Sequence, residues 1–121
     1  MCLRVTNPSV LLEAVEDIVC YKVICKYIHK NGYHTPYRLF PITIGDTYKS
    51  KLELIEREYK YGNSVEKGLH SFCNLDDVLT IDSAEIIVKC IIPKGSKYYK
   101  GYFDGDASYA SDTLYYEEIL N

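Results

Sequence analysis

The stretch IIVKCIIPKGSKYYK, residues 86–100, carries the strongest structural signal in this chain. Six of its first seven residues are apolar and most are β-branched, which is typical of a strand buried on both faces. Pro93 and Gly95 then interrupt the pattern and predict a turn. A basic, tyrosine-rich segment follows. We therefore expect residues 86–92 to form the central strand of a packed sheet.

Alternating residues predict a second long strand over residues 17–28. Val19 and Val23 share one face of that strand, and Lys22 and Lys26 take the other. The pattern therefore predicts that the valines and the lysines lie on opposite faces of the strand.

Turn signals and periodicity assign the remaining segments. We expect a short helix over residues 7–16 and another from Leu75 to about Ile81, capped by Asn74. The other predicted elements, in chain order, are a hairpin loop over 29–36, a strand over 37–44, a loop over 62–64, an extended piece over 69–72, a loop over 102–111 and a final strand over 114–120. Residues 47–61 suit either a strand or a helix, and we favour the strand.

The overall composition is that of an ordinary globular chain. It has 121 residues, of which 47% are hydrophobic and 26% are charged, so we expect one β-rich domain over residues 1–121. The 13 tyrosines, against three phenylalanines and no tryptophan, favour strands and contact surfaces. The predicted fold class is α+β, a small single domain dominated by antiparallel β-strands with one or two short helices.

The net charge of −3 argues against general nucleic-acid binding. Residues 1–60 carry nine Lys/Arg against seven Asp/Glu, and residues 61–121 carry five against ten. Neither a signal peptide nor an apolar run long enough to span a bilayer is evident, so we expect a cytoplasmic protein with no membrane partner.

The five cysteines do not predict a metal site. The nearest pair, Cys20 and Cys25, is five positions apart on the predicted strand, so the two thiols point to opposite faces. We expect reduced thiols, several of them in the core. No cofactor and no metal are expected.

The basic margin after the central strand is the best candidate for a ligand-binding surface. Lys94 and Lys97 would neutralise phosphates, and Tyr98 and Tyr99 would stack on bases. Backbone amides at Gly95–Ser96 would add donors for an anion. The alternative is that these side chains merely decorate a strand margin.

Three residues elsewhere would complete this site. Arg38 would supply a forked phosphate clamp. His70 and Ser71, just before the predicted capped helix, would orient a phosphate or a ribose. Alternatively, His70 would satisfy a backbone carbonyl beneath that helix.

Four segments of the chain resemble a group of small uncharacterised proteins of gut Bacteroidales and the phages that infect them. These segments are residues 18–23, 34–38, 68–72 and 88–99. The resemblance covers most of the chain and implies a phage or mobile-element origin.

A strand that ends in Pro-Lys-Gly-Ser and precedes a last strand with acidic residues is similar to the C-terminal portion of ADP-ribosyltransferase-like folds. That resemblance implies that Arg38, Ser71 and either Glu117 or Glu118 act on NAD.

The chain shows no Gly-x-Ser-x-Gly, phosphate-loop, His-Glu-x-x-His or dinucleotide signature. We therefore hypothesise a non-enzymatic binding protein, such as a phage counter-defence factor that sequesters a phosphorylated nucleotide signal or blocks a host protein. The alternatives are an ADP-ribosyltransferase-like enzyme acting on NAD and a pure protein-interaction module. Exposed sheet edges and tyrosines favour a homo-oligomer.

Overall fold

The computed structural model describes residues 3–5, 10–36, 40–55, 63–79, 86–103 and 105–121, which form thirteen strands and one helix. In chain order these are β1 (Leu3–Val5), β2 (Leu12–Glu13), β3 (Ile18–Lys26), β4 (Tyr33–His34), β5 (Pro41–Ile42), β6 (Thr47–Lys49), β7 (Glu53–Ile55), β8 (Asn63–Lys67), β9 (Leu69–Phe72), α1 (Leu75–Leu79), β10 (Ile86–Ile92), β11 (Lys97–Phe103), β12 (Asp106–Ser111) and β13 (Thr113–Ile119).

All of the described strand pairings are antiparallel, and they join the strands into one curled, half-barrel sheet. Its main order is β6-β13-β10-β3-β9-β12-β11-β1-β8-β7. Beside this path, β2 pairs with β11, and β4 pairs with both β3 and β5. The described residues therefore form one small domain that is mostly antiparallel, as predicted. Because α1 has only five residues, the α+β label applies loosely.

Both faces of the sheet are covered at its centre, where neighbouring residues of β10 are buried on opposite sides. Val88 packs in a core with Cys20 and Cys90, on what we call the thiol face. Ile87 packs with Val23 and with Val78 of α1, on what we call the helix face. A further cluster on the helix face joins β1, β8 and β12 through Leu3, Val5, Val65 and Ala110.

Several predicted elements are confirmed. The apolar run is the central strand β10, which pairs with β3 over its whole length and with β13 on its other side. The chain turns back after β3 and pairs as a hairpin with β4, as its Asn-Gly signal indicates. The extended piece at 69–72 is β9, the final strand is β13, and the predicted second helix is α1 in its described part.

The helix predicted over residues 7–16 is wrong for the part that the structure describes. Residues 12–13 are strand β2, which pairs with β11 at Lys97 and Tyr98. The Ala14 amide donates to the Ser96 carbonyl at 2.8 Å, and the Gly95 amide donates to the Ala14 carbonyl at 2.8 Å. Long-range strand pairing therefore overrides the local helix-start signals.

The loop predicted over 102–111 is also wrong, because β11 and β12 form a hairpin in which Phe103 pairs with Asp106. Gly105, which lies between the two strands, has a φ of 85°, as a tight turn requires. Likewise, Asn63 and Ser64 are not in a loop but belong to β8, which pairs with β1. In both places a neighbouring strand recruits residues of low strand propensity.

Two predicted strands are broken into shorter pieces. Within 37–44 the described strand is β5 alone, and residues 37–39 lie outside the described residues. Within 47–61 the strand alternative holds, as β6 and β7, and residues 56–61 lie outside the described residues.

The one described helix, α1, is far too short to cross a membrane.

Gly101 marks the closest approach between two backbones. It is buried in β11, where a Cβ atom would overlap the carbonyl oxygen of Arg4 in β1 and lie 2.9 Å from its carbonyl carbon. No flexible side chain can move aside here, because the obstruction is backbone. A residue without a Cβ is therefore required for β1 to pair with β11.

We expect Gly101→Ala to lower the free energy of unfolding by about 3 kcal/mol, because overpacking displaces β1. Chemical denaturation with urea checks this value. Gly105→Ala is the matched control: it meets open space at a positive φ and should cost only about 1 kcal/mol. Equal losses in the two variants would contradict the steric explanation.

Candidate functional site

The basic, tyrosine-rich margin lies on β11, and strand alternation divides its two central tyrosines between the faces of the sheet. Tyr98 packs on the thiol-face core and makes an edge-to-face contact with Tyr109, at 5.6 Å between ring centroids. Tyr99 packs against the cluster of Leu3 and Val65 on the opposite face. The two rings therefore cannot stack on the same ligand.

The lysines of this margin have different surroundings. Lys97 Nζ lies 2.6 Å from Glu13 Oε1, and this ion pair lowers the pKa of Glu13. Lys94 is exposed in the turn between β10 and β11. An incoming phosphate would have to compete with a carboxylate for Lys97, which weakens the margin as an anion site.

Backbone amides within and beside the Gly95–Ser96 pair, which was expected to bind an anion, already have acceptors in the chain. The Lys94 amide donates to Asp17 Oδ1 at 2.8 Å, and the Lys97 amide donates to Asp112 Oδ1 at 3.1 Å. The Ser96 amide donates to the Pro93 carbonyl at 3.0 Å. Two carboxylates therefore occupy the positions that an anionic ligand would take.

His70 and Ser71 lie together on β9 but face opposite sides of the sheet. Ser71 is 2% exposed and its hydroxyl lies beside the Cys20 thiol on the thiol face. The His70 carbonyl accepts a hydrogen bond from Lys22 Nζ at 2.7 Å. Arg38 lies outside the described residues. The structure thus brings Ser71 to the core and not to the β11 margin.

The grouping implied by the ADP-ribosyltransferase resemblance is also spread over two faces. Glu117 Oε2 binds Lys89 Nζ at 3.0 Å, and this contact raises the pKa of Lys89. Lys89 follows Val88 in β10 and so lies on the helix face, beside Tyr21. Glu118 is exposed. Ser71 and Glu117 therefore lie on opposite sides of the sheet.

Lys22 lies on the face of β3 opposite Val23, as the alternation predicts, and this face is covered. Lys22 lies between Cys20 and Ile24 on the thiol face of β3, and removal of its amine from water lowers its pKa. A continuous apolar strand such as β10 signals that both faces of its neighbours are covered. That signal would have placed Lys22 in the interior.

The thiols near Lys22 are held in the protonated form by their surroundings. Burial raises the pKa of the Cys20 thiol to about 11 and raises that of Cys90 further. Burial also raises the pKa of Cys73, whose thiol lies beside the Tyr109 hydroxyl. Since the thiolate is the nucleophile, these thiols react slowly at neutral pH. Within the described ranges, no three His, Cys, Asp or Glu side chains are grouped as a metal site would require.

A second basic region lies on the β3–β4 hairpin, residues 26–34, which we call the basic hairpin. No Asp or Glu occurs anywhere between Asp17 and Asp46 in the sequence. The pairing of β3 with β10 ends at Ile24, so the basic hairpin extends beyond the end of β10. Residues 28–32 of its turn are all exposed, and Ile28 is 89% exposed.

Ring contacts order the basic hairpin. The Tyr27 and His34 rings lie 4.7 Å apart, and Lys30 Nζ lies 4.4 Å from the Tyr27 ring centroid. The Tyr27 amide donates to the Gly32 carbonyl at 3.1 Å and closes the turn. The exposed Ile28 is therefore presented from a braced turn that bears cations.

No family model, no curated protein and no solved structure matches this chain. Its function is therefore inferred from the surfaces of the fold.

We expect Lys22→Met to stabilise the protein near neutral pH by about 1 kcal/mol, because an apolar side chain replaces a buried amine at the loss of one hydrogen bond. The folded pKa of Lys22 lies below its ordinary value of 10.5. The wild type should therefore regain stability relative to the variant as the pH rises through the folded pKa, with the full gain above 10.5.

Urea denaturation of both proteins over a pH series measures this difference. Lys26→Met is the matched control, since Lys26 is exposed at the end of the same strand and should leave the pH dependence unchanged. A constant gap between wild type and Lys22→Met at all pH values would contradict the lowered pKa.

Proposed function

We propose that this chain is a non-enzymatic binding protein that blocks an acidic protein partner with its basic hairpin. The observation that carries the proposal is the 89% exposed Ile28, which lies between Lys26 and Lys30 in a stretch without a carboxylate. In the setting that the phage resemblance implies, the partner is a host protein and the chain is a counter-defence factor.

An exposed aliphatic side chain on a braced turn suits insertion into a partner. A fully buried Ile at an interface contributes about 2 kcal/mol of transfer free energy. The contacts of Tyr27 with His34 and Lys30 order the hairpin before binding, which reduces the entropy lost on association. Ile28 would therefore act as the anchor of the interface.

Charge determines which partner fits. The hairpin is basic, whereas the chain as a whole has a net charge of −3. An acidic partner is attracted to the hairpin and repelled by the rest of the surface, which fixes the orientation of the complex. The site on the partner that suits this hairpin is a groove with an apolar floor and carboxylates at its rim.

The shape of the hairpin favours a protein over a small phosphorylated nucleotide. Small-molecule sites are concave and enclose most of their ligand, whereas the basic hairpin extends past the end of β10. On β11, Tyr98 and Tyr99 lie on opposite faces and cannot enclose a base together. Nucleotide sequestration therefore has less support than the blocking of a host protein.

We expect Ile28→Ala to weaken partner binding about tenfold or more, and the pair Lys26→Glu/Lys30→Glu to weaken it further. Tagged wild-type and variant proteins capture partners from a Bacteroidales lysate, and the captured proteins are compared by mass spectrometry. The relevant partner is acidic, is retained by wild type and is lost from both variants. Calorimetry with that purified partner then gives the affinities.

The control is Lys49→Glu/Lys51→Glu, which makes the same charge change at two exposed lysines near β6. This control should bind as wild type does. A partner lost equally from the control and from the hairpin variants would show only a net-charge effect and would overturn the proposal.

A second measurement addresses the other functions. The protein is incubated with labelled NAD and with a panel of cyclic dinucleotides, and bound material is released by heat. Recovery of intact nucleotide would replace the proposal with sequestration. Release of nicotinamide would replace it with an ADP-ribosyltransferase-like activity. We expect neither.

A further inference from the structure

Two cysteines lie directly opposite each other on the central strands. Cys20 of β3 pairs in register with Cys90 of β10, and both are 0% exposed in the same core. Opposed residues of antiparallel strands have Cα atoms about 4.5 to 5.5 Å apart. This spacing falls within the range of about 4.4 to 6.8 Å that a disulfide spans.

The two thiols make separate contacts in the reduced protein. The Cys90 thiol donates to the Val88 carbonyl at 3.9 Å. The Cys20 thiol lies beside the Ser71 hydroxyl and the Ile92 backbone. A bond between the two sulfurs requires both side chains to rotate, while the strand register stays unchanged.

The neighbours of the pair favour ionisation of one thiol over the other. Burial raises the pKa of both thiols and the Lys22 ammonium opposes this at both, whereas the Ser71 hydroxyl lies beside Cys20 and favours its thiolate. Cys20 is therefore the thiol that ionises first and attacks an oxidant.

We propose that Cys20 and Cys90 close to a cross-strand disulfide when a small peroxide oxidises the protein, slowly at neutral pH and faster as the pH rises. The Cys20 thiolate attacks one oxygen of hydrogen peroxide, the O–O bond breaks, and Cys20 becomes a sulfenic acid while hydroxide leaves. The Cys90 thiol then attacks the Cys20 sulfur, the S–O bond breaks, and water leaves. In total, two thiols are oxidised and one peroxide is reduced to two waters.

Neither of the other cysteines that the structure describes lies opposite a cysteine in a strand pairing, although Cys73 lies near enough to Cys20 to act on it electrostatically. Cys25 lies opposite His34 on β4, and Cys73 follows β9 with its thiol beside the Tyr109 hydroxyl. Both are half-buried. In the experiment below, they show how far peroxide oxidises a thiol that has no cysteine opposite it. The disulfide would join the two strands on which both cores are built.

The test is a peptide map of the full chain after treatment with hydrogen peroxide, alkylation of the remaining thiols under denaturing conditions, and digestion with trypsin. We expect a linked species that joins residues 5–22 to residues 90–94 and that dithiothreitol separates. Cys25→Ser should retain this species, and Cys90→Ser should lack it. If Cys20 and Cys90 are fully alkylated, or appear only as separate sulfinic acids, the proposal is overturned.

Lys22 is a positioning residue in this scheme, because its ammonium favours the Cys20 thiolate. With Lys22→Met, the profile of disulfide formation against pH should shift to higher pH, whereas Lys26→Met should leave the profile unchanged. Coinciding profiles for all three proteins would overturn this role of Lys22.

Discussion

β10 and β3 pair along seven residues, and the other strands and the helix are arranged around this pairing. β10 is too apolar to lie at an edge, so both of its faces and both of its sides must be covered. β13 covers the other side, α1 covers one face, and the remaining strands curl around to cover the other. Because side chains alternate along a strand, consecutive residues of β3 enter two different cores.

This pairing also explains the chemistry of the interior and the position of the basic surface. It places Cys20 opposite Cys90 and forces Lys22 to bury its amine, which donates to the His70 carbonyl. β10 begins opposite Ile24, so β3 continues past it and carries the hairpin outward. β3 thus contributes side chains to the core and then leads into an exposed, cationic turn. The same strand therefore supports both the packing of the interior and the proposed binding surface.

Much of the fold could be predicted from local patterns, and the failures share one cause. The apolar run of β10, the Asn-Gly turn after β3 and the cap before α1 are all signals carried by nearby residues. By contrast, residues 12–13 and 106–111 become strands because other strands offer them hydrogen bonds. Distant parts of the chain also determine the surroundings of the predicted binding margin: alternation separates Tyr98 from Tyr99, and carboxylates distant in sequence accept from the turn amides.

The sequence by itself determined a β-rich chain with a central buried strand, an excess of tyrosine and a stretch of cations without acids, because composition and local periodicity are properties of the chain alone. Only the tertiary structure decided which of those cations are exposed. Lys22 and Lys26 have the same side chain on the same strand and the same face. They differ because Lys22 lies opposite Val88 of β10 and donates to the His70 carbonyl, whereas Lys26 lies beyond the end of β10, and the residues next to each lysine in the sequence do not carry this difference.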